Sequence, residues 1–314
     1  MRLLFASDYD DPMAWKHHLT SKIPALEFFL CSEDYDPATI DVALVYKPAP
    51  GLLKSLPNLR AVLSLAAGLD HLDGEHAPHT GVPVEKLVDP HLASMMAEYV
   101  LAAVMHHHRE FPALQAAQAA GHWQFRTPVP IADRRVGILG LGPIGMACAS
   151  LLSSVGFQVS GWSRSQKQVV NATTFAGPEG LAQIANISDI LVCLLPLNAE
   201  TTGIINHDLL RRLPAGAALI NAGRGQHVVA HDLIAALNSD ALSAATLDVL
   251  DAEPPKSKDA LWRHPKIFVT PHLATFPNPV TASVIVARHL CNLSLPQPNR
   301  KTLPSGGLRV RPKS

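Results

Sequence analysis

The chain has 314 residues, enough for two hydrophobic cores, and its 47% hydrophobic and 17% charged content is that of a soluble globular protein. Lys and Arg total 26 against 26 Asp and Glu, so no net charge draws the chain to nucleic acid or to an acidic membrane. Cys31, Cys148, Cys193 and Cys291 lie far apart with no C-x-x-C pair, which fits a reducing cytoplasm. The apolar stretch within Met1–Asp8 is too short for a signal peptide, and no run of ~18 apolar residues occurs, so no membrane span is expected.

Short apolar strands alternate with helices along the chain, the pattern of an α/β fold on a parallel sheet. Strands are predicted at Leu3–Ala6, Val42–Tyr46 and Ala61–Leu65, with amphipathic or turn-rich stretches at Pro12–Thr20 and Pro48–Leu56. A long apolar helix follows from Pro90 to His108, its proline suited to a first turn, and a second runs from Pro112 to Ala120. His106, His107 and His108 are consecutive on the first of these helices and point about 100° apart, so they cannot converge on one ion, and no metal is expected. The loop 121–130 carries Trp123 and Phe125.

A second series of strands begins at Val136: Val136–Leu139, Gln158–Trp162, Ile190–Leu194, Ala217–Asn221, Ala244–Leu247 and Ile267–Val269. Helices between them are predicted at Pro143–Val155, Pro178–Asn186, His207–Leu213 and His231–Leu237. A last helix spans Pro279–Leu293, and the basic tail from Pro296 reads as a loosely ordered end.

The stretch Gly140-Leu141-Gly142-Pro143-Ile144-Gly145 is a G-x-G-x-x-G after a strand and before a helix. Gly140 permits the tight turn, Gly142 lets the backbone approach a pyrophosphate, and Gly145 lets helix and strand pack closely. The pyrophosphate would rest on N–H groups at the positive end of the helix that begins at Pro143. About 20 residues further on, a carboxylate usually reads the adenosine ribose. Here Trp162-Ser163-Arg164-Ser165-Gln166-Lys167 has none, and the first acid after it is Glu179. Arg164 and Lys167 suit a 2′-phosphate, with Ser163 and Ser165 as further donors, so NADPH is expected to be preferred over NADH.

Three further polar groups follow strands: Arg224 in Asn221–Gly225, Glu253 in Asp248–Pro254, and His272 in Thr270–Ala274. Ligands bind at such strand ends in open α/β sheets, and three together beside a cofactor fingerprint point to a catalytic site.

At these residues the sequence resembles the D-isomer-specific 2-hydroxyacid dehydrogenases, and the likeness runs along nearly the whole chain. Ser64–Asp70, the Gly140 fingerprint, Leu194-Leu195-Pro196, Thr202–Asn206, Leu261–Pro265 and the three segments just named all carry it. The turn at Trp162–Ser165 and the Leu-Leu-Pro segment resemble the glyoxylate and hydroxypyruvate reductase branch, although Tyr46 stands where that branch carries tryptophan.

The resemblance implies a doubly wound Rossmann nucleotide domain inserted in a smaller flavodoxin-like α/β substrate domain. Its expected bounds are 1–95 for the first part of the substrate domain, 96–275 for the nucleotide domain, and 276–314 for a return helix with the tail. It further implies Arg224, Glu253 and His272 as catalytic residues and a homodimer built on the nucleotide domains and the long helix before them. Arg224 would fork onto the carboxylate and carbonyl of a small 2-oxo acid, glyoxylate or hydroxypyruvate. Backbone near Ala67 and Gly68 would hold the other carboxylate oxygen, and Tyr46 would border the substrate. His272 would donate the proton, with Glu253 favouring its imidazolium form. Leu195, Pro196, Ala222, Gly223 and Asp248 are expected to line the cofactor. A family member with a larger substrate, or a nucleotide-sensing scaffold like the corepressors that share this fold, remains an alternative.

Overall fold

The computed structural model describes residues 1–66, 68–87 and 89–294; Ala67 and the tail from Pro296 lie outside them. The elements in chain order are β1 (Arg2–Ala6), α1 (Pro12–Thr20), β2 (Glu27–Leu30), β3 (Val42–Val45), β4 (Ala61–Ser64) and β5 (Val84–Lys86). Then come α2 (Pro90–His108), α3 (Phe111–Ala119), β6 (Arg135–Leu139), α4 (Pro143–Val155), β7 (Gln158–Ser163), β8 (Thr173–Ala176), α5 (Gly177–Ile187) and β9 (Ile190–Cys193). The series ends with α6 (His207–Leu210), β10 (Ala217–Asn221), α7 (Ala230–Asn238), β11 (Leu242–Leu247), β12 (Ile267–Val269) and α8 (Pro279–Ser294). No helix among the described residues is long and apolar enough to cross a membrane.

The chain divides into two compact units. The first is Met1–Leu65, Gly74–Leu87 and the described residues from Pro279; the second is Ala66–Asp73 and Val88–Asn278. In the first, five parallel strands run in the order β2-β1-β3-β4-β5, the flavodoxin-like order. Leu3, Phe5, Val42 and Leu44 meet Trp15 and Leu19 of α1 and Val286 and Leu290 of α8 in one core. Asp11 caps α1 by accepting from the amides of Met13 and Ala14, which satisfies donors that a helix start leaves open.

The second unit holds seven parallel strands in the order β12-β11-β10-β9-β6-β7-β8. Successive side chains of a strand face opposite ways, and here both faces are apolar. Leu139, Leu191 and Leu219 pack on one side with Ile184 of α5 and Leu233 of α7. Ile138, Val192 and Ile220, their neighbours in sequence, pack on the other with Val100 of α2 and Cys148 of α4. That is a doubly wound Rossmann sheet, and the strand order reverses between β6 and β9.

Three strands go beyond the sequence reading: β2, β5 and β8. All three are edge strands of their sheets, only partly covered, and two contain charged residues. A half-covered strand needs no unbroken apolar run, so the pattern that marks the central strands is missing. The helix expected at His207–Leu213 is a single turn ending at Leu210.

The three consecutive histidines of α2 go three ways. His106 packs against the rings of Phe111 and Phe268, His107 bonds Thr246 Oγ1 at 2.9 Å, and His108 meets Phe157 edge-on. Burial, with His106 adding to it, pushes the His107 imidazole down to about 3, so it is a neutral core group at working pH.

Candidate active site

The glycine turn and α4 form one end of the site. Gly140 has φ +106°, a conformation that side chains resist, and a Cβ there would sit 2.8 Å from the Leu194 carbonyl oxygen. A Cβ on Gly145 would overlap the Gly140 carbonyl oxygen, so both positions are glycine for the protein's own packing. Gly142 is different. Its φ is ordinary, and a Cβ there would meet nothing within 4 Å. As the N-cap of α4 it offers no side-chain cap to the helix amides. The space a side chain would fill is where a pyrophosphate would lie, at the positive helix end, so the cradle fits a dinucleotide. Pro143 and Ile144 form the first turn behind it.

The turn after β7 lies beside this cradle. Trp162 is buried, its indole N–H donating to the Gly177 carbonyl, and Ser163 Oγ donates to the Ser165 carbonyl at 2.7 Å. Lys167 Nζ donates to the Leu141 carbonyl at 2.7 Å, tying this turn to the glycine turn. Arg164 projects outward, 81% exposed, with one nitrogen 3.2 Å from Glu200. Leu195 and Ala222 are buried just past the ends of β9 and β10, and Pro196 follows Leu195.

The catalytic candidates stand on the next strand ends. After β10, Asn221 Nδ2 donates to the Arg224 carbonyl and its Oδ1 accepts the Gly223 amide, folding the loop back on itself. Gly225 packs so closely on the backbone of Leu250 and Asp251 that a Cβ would overlap it, bringing the Arg224 loop against the loop that carries Glu253. Glu253 Oε2 lies 2.8 Å from His272 Nδ1, and its Oε1 accepts the Leu250 amide. The imidazole therefore turns Nε2 away from the carboxylate.

His272 itself sits at φ +54°, in the left-handed region that costs a non-glycine residue about 1–3 kcal/mol. Asp248 holds it there. Its carbonyl accepts the His272 amide, Oδ1 accepts the Leu273 amide and the Thr270 hydroxyl, and Oδ2 accepts the Ala274 amide. The Tyr99 hydroxyl of α2 lies 2.7 Å from Thr270 Oγ1 and continues the network.

Two comparisons bear on this geometry. A sequence profile described as "D-isomer specific 2-hydroxyacid dehydrogenase, NAD binding domain" matches residues 101–274. The glyoxylate/hydroxypyruvate reductase A of Citrobacter koseri is 37% identical over 302 residues, covering 93% of this chain and 95% of that protein. The chain belongs to the D-isomer-specific 2-hydroxyacid dehydrogenase family.

Solved members of the family share the architecture. A D-isomer-specific 2-hydroxyacid dehydrogenase from Xanthobacter autotrophicus Py2, in complex with NADPH and MES, is 38% identical with a TM-score of 0.86, covering 93% of this chain and 94% of that one. An NADPH-dependent glyoxylate/hydroxypyruvate reductase from Sinorhizobium meliloti, with NADP and sulfate, is 32% identical with a TM-score of 0.85 and the same two coverages.

Beside the candidate residues legible in sequence, the structure brings others that are not against Arg224. Asp70 takes Arg224 in a two-pronged ion pair, Nε to Oδ2 at 2.8 Å and Nη2 to Oδ1 at 3.0 Å. Burial alone would raise the Asp70 carboxyl, but the hydrogen bonds and charge of Arg224 outweigh it and hold it below the usual carboxylate range. Gly68 lies beside this pair. His227, fully buried, accepts the Arg224 amide at Nδ1, and burial pushes its imidazole below the ordinary value, keeping that nitrogen an acceptor. The available signal was the motif around Asp70, which identified the family without saying what the carboxylate does. Tyr46, expected at the substrate, follows β3 in the first unit with its ring edge-on to Tyr9.

Proposed function

We propose that this protein reduces a small 2-oxo acid, glyoxylate or hydroxypyruvate, to the 2-hydroxy acid, with NADPH preferred over NADH. The observation that carries the reading is the ordering of the site. The Arg224 loop and the His272–Glu253 pair follow three neighbouring strands, β10, β11 and β12, of the sheet whose β6 leads into the cradle left open at Gly142.

When bound, the nicotinamide supplies the hydride that adds to C2 of the oxo acid. Arg224 holds the substrate carboxylate and polarises the carbonyl, and the backbone at Gly68 takes the other carboxylate oxygen. His272 Nε2 donates a proton to the carbonyl oxygen as negative charge grows there. Glu253 orients the ring through Nδ1 and offsets the charge of its imidazolium form. Asp248 keeps His272 in its strained backbone conformation. Arg164 takes the 2′-phosphate, a role supported by the absence of any acidic residue between Trp162 and Glu179.

The second unit is assigned the dinucleotide and the first, which carries Tyr46, the role of substrate domain, although Gly68, expected with that domain, groups with the second unit. A homodimer and a cytoplasmic setting complete the proposal. Trp123, wholly exposed on the 121–130 loop, and the neighbouring Phe125 support an association that covers them, and the unpaired cysteines support a reducing compartment.

The test is loss of the near-ultraviolet absorbance of NADPH when glyoxylate is added to the protein. His272→Ala should lower that rate by ~10²–10⁴ with NADPH binding intact. An alanine enzyme as fast as the parent would place the proton donor elsewhere.

A further inference from the structure

Arg224 carries the substrate carboxylate in the reading above, and the inference here rests on that reading. An arginine side chain is long and flexible, so something must aim it. Two contacts fix its backbone, Asn221 Nδ2 on its carbonyl at 2.8 Å and His227 Nδ1 on its amide at 2.9 Å, and one fixes its guanidinium, Nη1 donating to the Gly223 carbonyl at 2.8 Å. The guanidinium then meets Asp70 along the edge formed by Nε and Nη2.

Asp70 is itself held. It opens a short 3-10 turn, Asp70–Leu72, whose Leu72 is buried and donates its amide to the Leu69 carbonyl. Gly68 is shaped for the pair, since a Cβ there would lie 2.6 Å from both Arg224 Nη2 and Asp70 Oδ1.

We propose that Asp70 is a positioning residue that presents Arg224 to the carboxylate of the 2-oxo acid. With the Nε edge on Asp70, the substrate carboxylate approaches the end formed by Nη1 and Nη2. The opposite assignment makes Asp70 a stand-in that occupies Arg224 until substrate displaces it. The two differ in sign: losing a positioning residue weakens substrate binding, and losing a competitor strengthens it. The anchored turn and the glycine cleared for the pair favour the first.

The experiment is steady-state reduction of glyoxylate by NADPH with Asp70→Ala, Asp70→Asn, Arg224→Ala and the double alanine variant. NADPH affinity is followed by its fluorescence, and folding by thermal unfolding. Asp70→Ala should raise KM for glyoxylate about ten- to a hundred-fold, the range for losing a charged hydrogen-bonded partner, and lower kcat by less. Asp70→Asn keeps the shape and one acceptor, so it should fall between, and it carries the test if the alanine protein does not fold. NADPH affinity should stay within about two-fold, because no contact to the cradle is removed. Since Asp70 acts through Arg224, the double variant should be no worse than Arg224→Ala alone.

A KM that falls or holds in both Asp70 variants overturns the proposal, as does a double variant in which the two losses add. Should Arg224→Ala itself leave KM unchanged, the role of Arg224 fails and this inference fails with it. A raised KM in Arg224→Ala with no change in either Asp70 variant overturns the inference alone.

Discussion

Arg224 and Arg164 belong to the same unit, and each faces a carboxylate, yet the two pairs are built differently. Arg224 is 24% exposed, meets Asp70 with two prongs, and is fixed at its amide, its carbonyl and Nη1. Arg164 is 81% exposed and reaches Glu200, itself 68% exposed, with one nitrogen at 3.2 Å. A partly buried two-pronged pair keeps its geometry before any ligand arrives, whereas an exposed single contact in high dielectric is worth ~0–1 kcal/mol and exchanges readily. The reacting end of the substrate needs a preset donor. A phosphate at the rim of the cofactor site needs a cation that is available.

The largest effect separates the two by shape alone. Lysine keeps the charge but cannot fork, so Arg224→Lys should lower kcat/KM for glyoxylate by ~10²-fold or more, as misplacement at a reacting centre does. Arg164→Lys should change kcat/KM for NADPH by less than about three-fold. Comparable losses at both positions would break the contrast.

Removing the charge at the rim comes next. Arg164→Ala should raise KM for NADPH by about ten-fold, toward the low end for a charged hydrogen bond because water screens it. KM for NADH should hardly move. Equal losses with both cofactors would make Arg164 a structural residue of the turn.

The same contrast shows what the sequence could reveal. Central strands such as β6, β9 and β10 are covered on both faces and read as largely apolar runs, with polar residues only at the ends of β6 and β10. The edge strands β2, β5 and β8 do not, and their pairing is set by neighbours distant in the chain. The glycine turn was legible because its residues are local to one strand and one helix. The Asp70–Arg224 pair joins residues 154 apart, so neither segment's local pattern discloses the contact. Asp248 was expected beside the cofactor; its carboxylate grips the backbone that follows His272, a role that depends on an unusual φ no sequence pattern discloses.

A change of pH should affect the two ends unequally. A phosphate monoester has a second pKa of about 6, so the 2′-phosphate loses one negative charge between about pH 7.5 and about pH 5. In its proposed role Arg164 then faces a monoanion, and the NADPH-to-NADH ratio of kcat/KM should fall several-fold over that span. Asp70, held below the usual carboxylate range by Arg224, stays ionised throughout. Its pairing with Arg224 is lost only in stronger acid, so KM for glyoxylate should stay flat across the same interval. A glyoxylate KM that rises in step with the loss of NADPH preference would show that the two arginines share one electrostatic response.

The smallest effect concerns Glu200, which follows β9 in the turn at Asn198–Thr201, with its amide on Asn198 Oδ1. Its carboxylate is paired with the Arg164 guanidinium, so an arriving 2′-phosphate must displace it or be repelled by it. Glu200→Gln removes that charge and leaves the backbone turn intact. An exposed pair contributes ~0–1 kcal/mol, so NADPH should bind up to about five-fold more tightly, and NADH should be unchanged. Raising ionic strength from about 0.05 to about 0.5 M should erase most of the gain, since exposed charges are then screened over a few ångströms. A gain that survives high salt, or that extends to NADH, would mean that Glu200 acts on the shape of the turn and not on the charge of Arg164.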